Sequence, residues 1–321
     1  IWRFHPQSRQ LEMFCSGTTN PWGHDWDDHG ELFFINTVIG HLWHALPGAH
    51  FKRMFGPDHN AYVYELLDHN ADHVHWDTAE AWHETKKEMS PTTDAAGGGH
   101  AHSGMMIYLG GNWPDRYRGE LYTVNLHGQR LNQDSLKREG ATYTGIHAAD
   151  FLFSKDPWFR GIELIYGADG GVYIADWSDV GECHENDGVH RSSGRIYKVI
   201  YGQASKPKRS RQLSGPAGLA GLSNSQLVKL QLESNDWYVR QSRQLLQFRA
   251  AQGQPMESVH RQLRQIYSQN PDTTRRLRAI WSLHVTGGAD TEWLLEQLAD
   301  EDEHVRRWTV QLLVESGEPG S

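Results

Sequence analysis

The sequence predicts an all-β partial β-propeller of about three blades over residues 1–202, a linker over 203–222 and an all-α helical solenoid over 223–321. Three observations carry this prediction. Before residue 202 the apolar residues fall in short runs, "ELFFI", "MMIYLG", "ELYTVNL", "IELIYG", "GVYIADW" and "RIYKVIY", bounded by Gly, Asp and Asn as strands are. Three of these segments place a polar turn and a glycine just before an aromatic strand, with Gly30, Gly119 and Gly170 at intervals of 89 and 51 residues. Glycine at such a turn supplies the positive φ that folds one strand back on the next. Beyond residue 222 the apolar residues recur at helical spacing instead.

The 51-residue interval is close to the length of a four-stranded blade, and the longer one reads as a blade carrying an insertion at 56–99. Three blades do not close a ring of four to eight, so either chain upstream of Ile1 completes it or the sheets stay open. Residues 203–222, "QASKPKRSRQLSGPAGLAGL", have the Pro, Gly and Ser content of a linker. After it, "SNDWYVRQSRQLLQFRA", "NPDTTRRLRAIWSLHV" and "DEDEHVRRWTVQLLVES" each open on an Asn- or Asp-containing cap. They recur 35 and 31 residues apart at Val239, Thr274 and Val305. The spacing resembles paired helices of the HEAT class.

At 321 residues the chain is long enough for two domains. A mean hydropathy of -0.67 and the lack of any run of 18 apolar residues exclude a spanning helix. The net charge of -9 argues against nucleic acid as partner, because phosphate neutralisation needs a basic surface. Two cysteines, Cys15 and Cys183, allow one disulfide at most and match no zinc spacing. Histidine is concentrated: 17 of 20 precede residue 200, which places any acid-base or metal chemistry in the first part.

Within that part, "GGGHAHSGMMIYLGG" sets His100 and His102 one residue apart, and an extended backbone would point both rings to the same side. They are candidates for acid and base or for a metal, with a hydrogen-bonded loop pair as the alternative. "ADWSDVGECHEND" gathers Asp176, Asp179, Glu182, Cys183 and His184 after a strand. Asp176 is a catalytic candidate and Asp179 and His184 are metal candidates, set against a solvated acidic loop. "DHNADHVHWD" in the insertion adds His69, His73 and His75, suited to a lid or a flap. The tryptophans suit either sugar stacking or the packing between blades.

The stretches "GGGHAHSGMMIYLGGNWPDRYRGELYTVNLHGQRLN" and "DFLFSKDPWFRGIELIYGADGGVYIADWSDVGECHENDGVHRSSGRIYKVIYG" resemble the membrane-bound dehydrogenases of planctomycete type. Their propeller is related to glucose/sorbosone dehydrogenases that use pyrroloquinoline quinone. The resemblance covers residues 1–202, and it extends to helical repeats after the propeller. It implies an oxidoreductase that oxidises a carbohydrate alcohol or aldehyde by hydride transfer to a bound quinone, with Ca2+ as a second cofactor. It also implies a periplasmic or extracellular location and an electron acceptor such as a cytochrome c domain. The helical repeats would recruit a protein partner. No C-x-x-C-H occurs, so no haem attachment site lies in this chain.

Carried over by motif, the quinone site would use Asn20 of "TTNPWGHDW", where Thr19 replaces the relatives' arginine and Trp22 their glutamine. His127 stands where a Leu-Lys-Gly segment has its lysine. Arg160 and Glu163 of "RGIEL" keep the first arginine and the acid of a third motif, with Ile162 in place of its second arginine. Arg130 and Arg160 would then neutralise the cofactor carboxylates. The relatives' catalytic-base histidine would fall upstream of Ile1. The missing cations favour the alternative, a non-catalytic carbohydrate- or protein-binding propeller with a helical scaffold. Metal-dependent polysaccharide processing at the histidine loops is a third possibility.

Overall fold

The computed structural model describes residues 1–5, 8–37, 40–53, 58–60, 62, 66–67, 74–81, 89–181, 190, 192–202 and 218–315. The chain divides into two compact units. The first comprises 1–108, 113–166 and 171–201, and the second comprises 109–112, 167–170 and 202–321. The N-terminal part is built mainly of antiparallel β-sheets and the C-terminal part is helical. No described helix is long and apolar enough to cross a membrane.

Among the described residues, the larger sheets of the first unit are three antiparallel ones. One is β4 (Pro21–Trp26), β5 (Leu32–Asn36) and β6 (Leu42–Ala45). The next runs β8 (His102–Ile107), β9 (Leu121–Asn125), β10 (Arg130–Glu139) and β11 (Thr142–His147), with β12 (Leu152–Phe153) also on β10. The last is β13 (Gly161–Tyr166), β14 (Val172–Asp176) and β15 (Arg195–Val199). Gly30, Gly119 and Gly170, at φ 78°, 82° and 74°, lie in the turn before the second strand of each sheet. The hairpin of β1 (Trp2–His5) with β2 (Gln10–Met13) and the parallel pair β3 (Ser16–Gly17) with β7 (His50–Phe51) were not legible from the runs.

The first strands of the three sheets carry a common irregularity. The register shifts between Pro21 and His24 in β4, Ser103 and Met105 in β8, and Gly161 and Glu163 in β13. The bulges let the three strands meet: Trp22 donates from Nε1 to the Ile162 carbonyl at 3.2 Å, and Ser103 donates from Oγ to the Gly161 carbonyl at 2.8 Å. The Ile107 N–H likewise donates to Asp25 Oδ2 at 2.9 Å. Gly104 sits at φ 57°, and a Cβ there would lie 2.7 Å from the Glu163 Cα and 2.9 Å from the Ile162 carbonyl oxygen. Neither neighbour is a flexible tip. Gly104→Ala is therefore expected to destabilise the first unit by about 2–4 kcal/mol, read as a lowered urea midpoint.

The second unit is a succession of helices: α2 (Asn224–Lys229), α3 (Asp236–Ala251), α4 (Glu257–Gln269), α5 (Thr273–Val285), α6 (Thr291–Gln297) and α7 (Glu303–Val314). An earlier short helix, α1 (Pro91–Ala96), belongs to the first unit. Asn235, Asp272 and Asp302 cap α3, α5 and α7 by accepting backbone N–H groups, as the recurrent polar openings suggest. Leu246, Val259, Leu263, Leu277, Ile280 and Val305 are fully buried in one core. Asp236 is buried among arginines: Arg278 lies 3.1 Å away and Arg240 donates from Nε at 2.6 Å.

Candidate metal centre

The site is built on one face of the second sheet. The β8–β9 register sets His102 beside Asn125, and β9–β10 sets Asn125, Thr123 and Leu121 beside Arg130, Asn132 and Asp134. Asp134 in turn pairs with His147 of β11. Because alternate residues share a face, His102, Asn125, Arg130, Asn132, Asp134 and His147 all project to one side. Val124, Leu131 and Tyr122 take the other. A buried polar face is costly unless its groups are bonded to one another.

The glycine run supplies much of that bonding. The Asn125 amide donates to the Gly97 and Gly99 carbonyls at 3.0 and 3.1 Å, and Asn132 donates to Gly97 at 2.7 Å and Asp150 at 2.6 Å. The Gly99 N–H reaches the His75 carbonyl at 2.8 Å. Gly97 has φ 129°, and a Cβ there would meet the His75 ring at 2.7 Å. Three glycines thus lay a bare backbone across the sheet face and leave room for an imidazole arriving from the insertion.

His75 lands between His102 and Asp134. Its Nδ1 lies 2.6 Å from His102 Nε2 and its Nε2 lies 2.9 Å from Asp134 Oδ1. His41, just before β6, packs its ring 4.2 Å from both His75 and His102, centroid to centroid, with Nε2 3.6 Å from Asp134 Oδ2. His147 approaches Asp134 Oδ1 through Nδ1 at 3.3 Å. His41, His75, His102 and Asp134 are fully buried, whereas His147 retains 19% side-chain exposure.

The electrostatics differ across the cluster. Burial, reinforced by His41 and His75, holds His102 well below the usual imidazole range, so it is neutral. Burial also pulls His147 down, but the hydrogen bond and charge of Asp134 outweigh it and the net shift is upward. Neutral imidazoles are the metal-binding form of histidine. Two groups can each bring three ligand atoms within 4.8 Å of one another: His41, His75 and His102, and His75, Asp134 and His147. Nitrogens about 2.0–2.1 Å from one ion fall within that span.

Of the residues singled out from sequence as catalytic, cofactor-binding or metal-binding, only His102 enters this cluster. β8 begins at His102, and His100 stands just before it, its carbonyl accepting from the His102 N–H at 3.1 Å and facing His102 Nδ1 at 3.2 Å, so the two are hydrogen-bonded while their rings occupy different surroundings. The His100 ring packs 4.4 Å from His127 and 6.3 Å from Trp76. Arg130 is bound by Asp94 and Asp150, at 2.5 and 2.7 Å, and by the Gly128 carbonyl. Arg160 donates to the carbonyls of Gly181, Pro157, Phe159 and Val180.

Asp176 is buried and accepts from the Arg160 and Ser178 N–H groups and from Arg195, which ties the turn after β14. Asp179 accepts from the Gly181 N–H at 3.2 Å. Glu163 lies at the β13 bulge, its carboxyl raised by partial burial and by nearby Asp25 against the Leu164 N–H. Asn20 is in the turn before β4 at φ 48°, its carbonyl accepting from Thr37. His184, Cys183, His69 and His73 lie outside the described residues.

The two arginines assigned to quinone carboxylates are thus committed to internal acceptors, and they do not fit that group. Sequence reading missed His41, Asp134 and His147 and placed His75 in a lid. The available signal was the polar alternation "RLNQD", which marks a strand face once β10 is recognised.

Comparison with solved structures finds similarity to a glucose dehydrogenase-type oxidoreductase from Thermus thermophilus. That match has 20% identity and a TM-score of 0.38, over 59% of this chain and 46% of that one. A second is the PQQ-bound aldose sugar dehydrogenase from Streptomyces coelicolor, at 18% identity and a TM-score of 0.35, over 58% of this chain and 44% of that one. The chain thus spans less than half the length of either. No curated protein matches it. Residues 1–203 match the family described as "Domain of unknown function (DUF7133)", and the chain belongs to that family.

Proposed function

We propose that the first unit is a metal-binding module in which His41, His75 and His102 hold one divalent transition-metal ion. The observation that carries it is the convergence of three fully buried imidazoles from three separate parts of the chain, with ligand atoms within 4.8 Å. Nitrogen donors with no thiolate suit Zn2+, Co2+, Cu2+ or Fe2+ over Ca2+ or Mg2+, which take oxygen. Such an ion supplies Lewis acidity, or one-electron chemistry if it is redox-active. The chain's own part is to hold three neutral rings in place and to exclude bulk water from them.

Quinone-linked sugar oxidation, the reading carried by the motif resemblance, draws no support from Arg130 and Arg160, and no step is derived through a quinone. The carbohydrate-binding alternative has one observation in its favour: Trp22 and Trp26 are 52% and 42% exposed on β4.

Titrating metal-free protein with Co2+ tests the proposal. Visible absorption bands should grow to an end point of one equivalent and be absent from His102→Ala, with the circular dichroism of the variant unchanged. Equal bands in the variant, or none in the wild type, would exclude the site.

A further inference from the structure

Resting on the metal-binding reading, we infer that Asp134 is a positioning residue that fixes which nitrogen of His75 faces the ion. The two nitrogens of one ring point in different directions, so a single ion takes only one of them. In His75 the directions are already divided, with Nδ1 toward His102 and Nε2 toward Asp134.

An ionised carboxylate only accepts hydrogen bonds. Asp134 is fully buried and faces imidazoles at 2.9, 3.3 and 3.6 Å, so it needs N–H groups turned toward it. The hydrogen on His75 Nε2 meets that need and leaves the Nδ1 lone pair for the metal. Carboxylate, histidine and metal then stand in the order by which outer groups orient ligands.

Charge points the same way. Three neutral rings around a divalent ion leave two positive charges in a fully buried place, and Asp134 lowers the sum to one. A second ion at His75, Asp134 and His147 would raise it again, which favours one ion and assigns His147 to the outer layer. The neighbouring carboxylate, Asp150, is already paired with Arg130.

The test compares wild type, Asp134→Asn and Asp134→Leu by competition for Co2+ against a chelator. Asparagine keeps an oxygen that can accept from His75 and drops the charge. Affinity should fall about 10–100-fold in Asp134→Asn and further in Asp134→Leu, while the Co2+ band positions and one-ion end point of Asp134→Asn stay those of the wild type. Nitrogen-15 NMR of the Zn2+-loaded wild type gives a second readout independent of any variant's folding, with His75 showing a metal-bound Nδ1 and a protonated Nε2.

Unchanged affinity in Asp134→Asn, displaced bands, or a His75 metallated at Nε2 would each overturn the inference while leaving the metal site standing. A wild type that takes up no Co2+ overturns both.

Discussion

Asp236→Ala is expected to destabilise the helical unit by about 3–5 kcal/mol, the cost of removing one partner from a buried ion pair. Arg278 is 1% exposed and is held by Asp236 at 3.1 Å and by the Glu233 carbonyl at 2.9 Å. Arg243, close by, is pushed down to about 10 by burial against the pull of Asp236. Without the carboxylate, Arg240, Arg243 and Arg278 on α3 and α5 would lose the Asp236 counter-charge within a low-dielectric site. Urea denaturation followed by the signal of the helical unit reads the loss directly. Arg240→Ala, which removes a side chain that is 26% exposed and leaves Asp236 paired with Arg278, should cost under about 1 kcal/mol.

The same group sets an acid limit. Burial alone would raise the Asp236 carboxyl, but Arg240 and Arg278 more than offset it and hold the carboxyl below its ordinary range. A carboxyl depressed on folding stabilises fully above its unfolded value, about 3.9, and the contribution disappears as pH falls through the folded value. The helical unit should therefore lose stability below about pH 4, and Asp236→Ala should flatten that part of the profile.

Removing an ion from the site proposed at His41, His75 and His102 is expected to have the second large effect. A ligand present at a thousand times its dissociation constant stabilises the folded state by about 4 kcal/mol. In a unit of roughly 200 residues this corresponds to about 8–16 °C in Tm. Chelation should lower the melting temperature of the first unit by that order, and re-addition of Zn2+ should restore it. His41→Ala should melt at the lower temperature with or without metal. A melting temperature indifferent to chelator in the wild type would mean that no ion contributes to this fold.

Part of this was legible in the sequence because it is local. Aromatic and β-branched runs announced β5, β9 and β14, and the turn glycines at 30, 119 and 170 named the joints between strands. The Asn and Asp caps of α3, α5 and α7 were visible for the same reason. The longest strand, β10, was not: "RLNQDSLKRE" has almost no β-forming side chains, and its pairing with β9 and β11 overrides that composition.

With β10 unread, Asp134 could not be placed opposite His147, nor on the same face as His102. His41 and His75 stand 61 and 27 residues before His102 and join it only through tertiary packing. The glycine run did mark the place, since Gly97 makes room for the His75 ring. His100, the neighbour that looked like a partner, turned to His127 because the strand starts two residues later.

An anomalous difference map, recorded at the absorption edge of the metal from crystals of the purified protein, tests the central claim most directly. The expected result is one peak about 2.0–2.1 Å from a nitrogen of each of His41, His75 and His102, with Asp134 beyond bonding distance of the metal. No peak among those three rings, or a peak only at the acidic turn beyond Asp176, would contradict it.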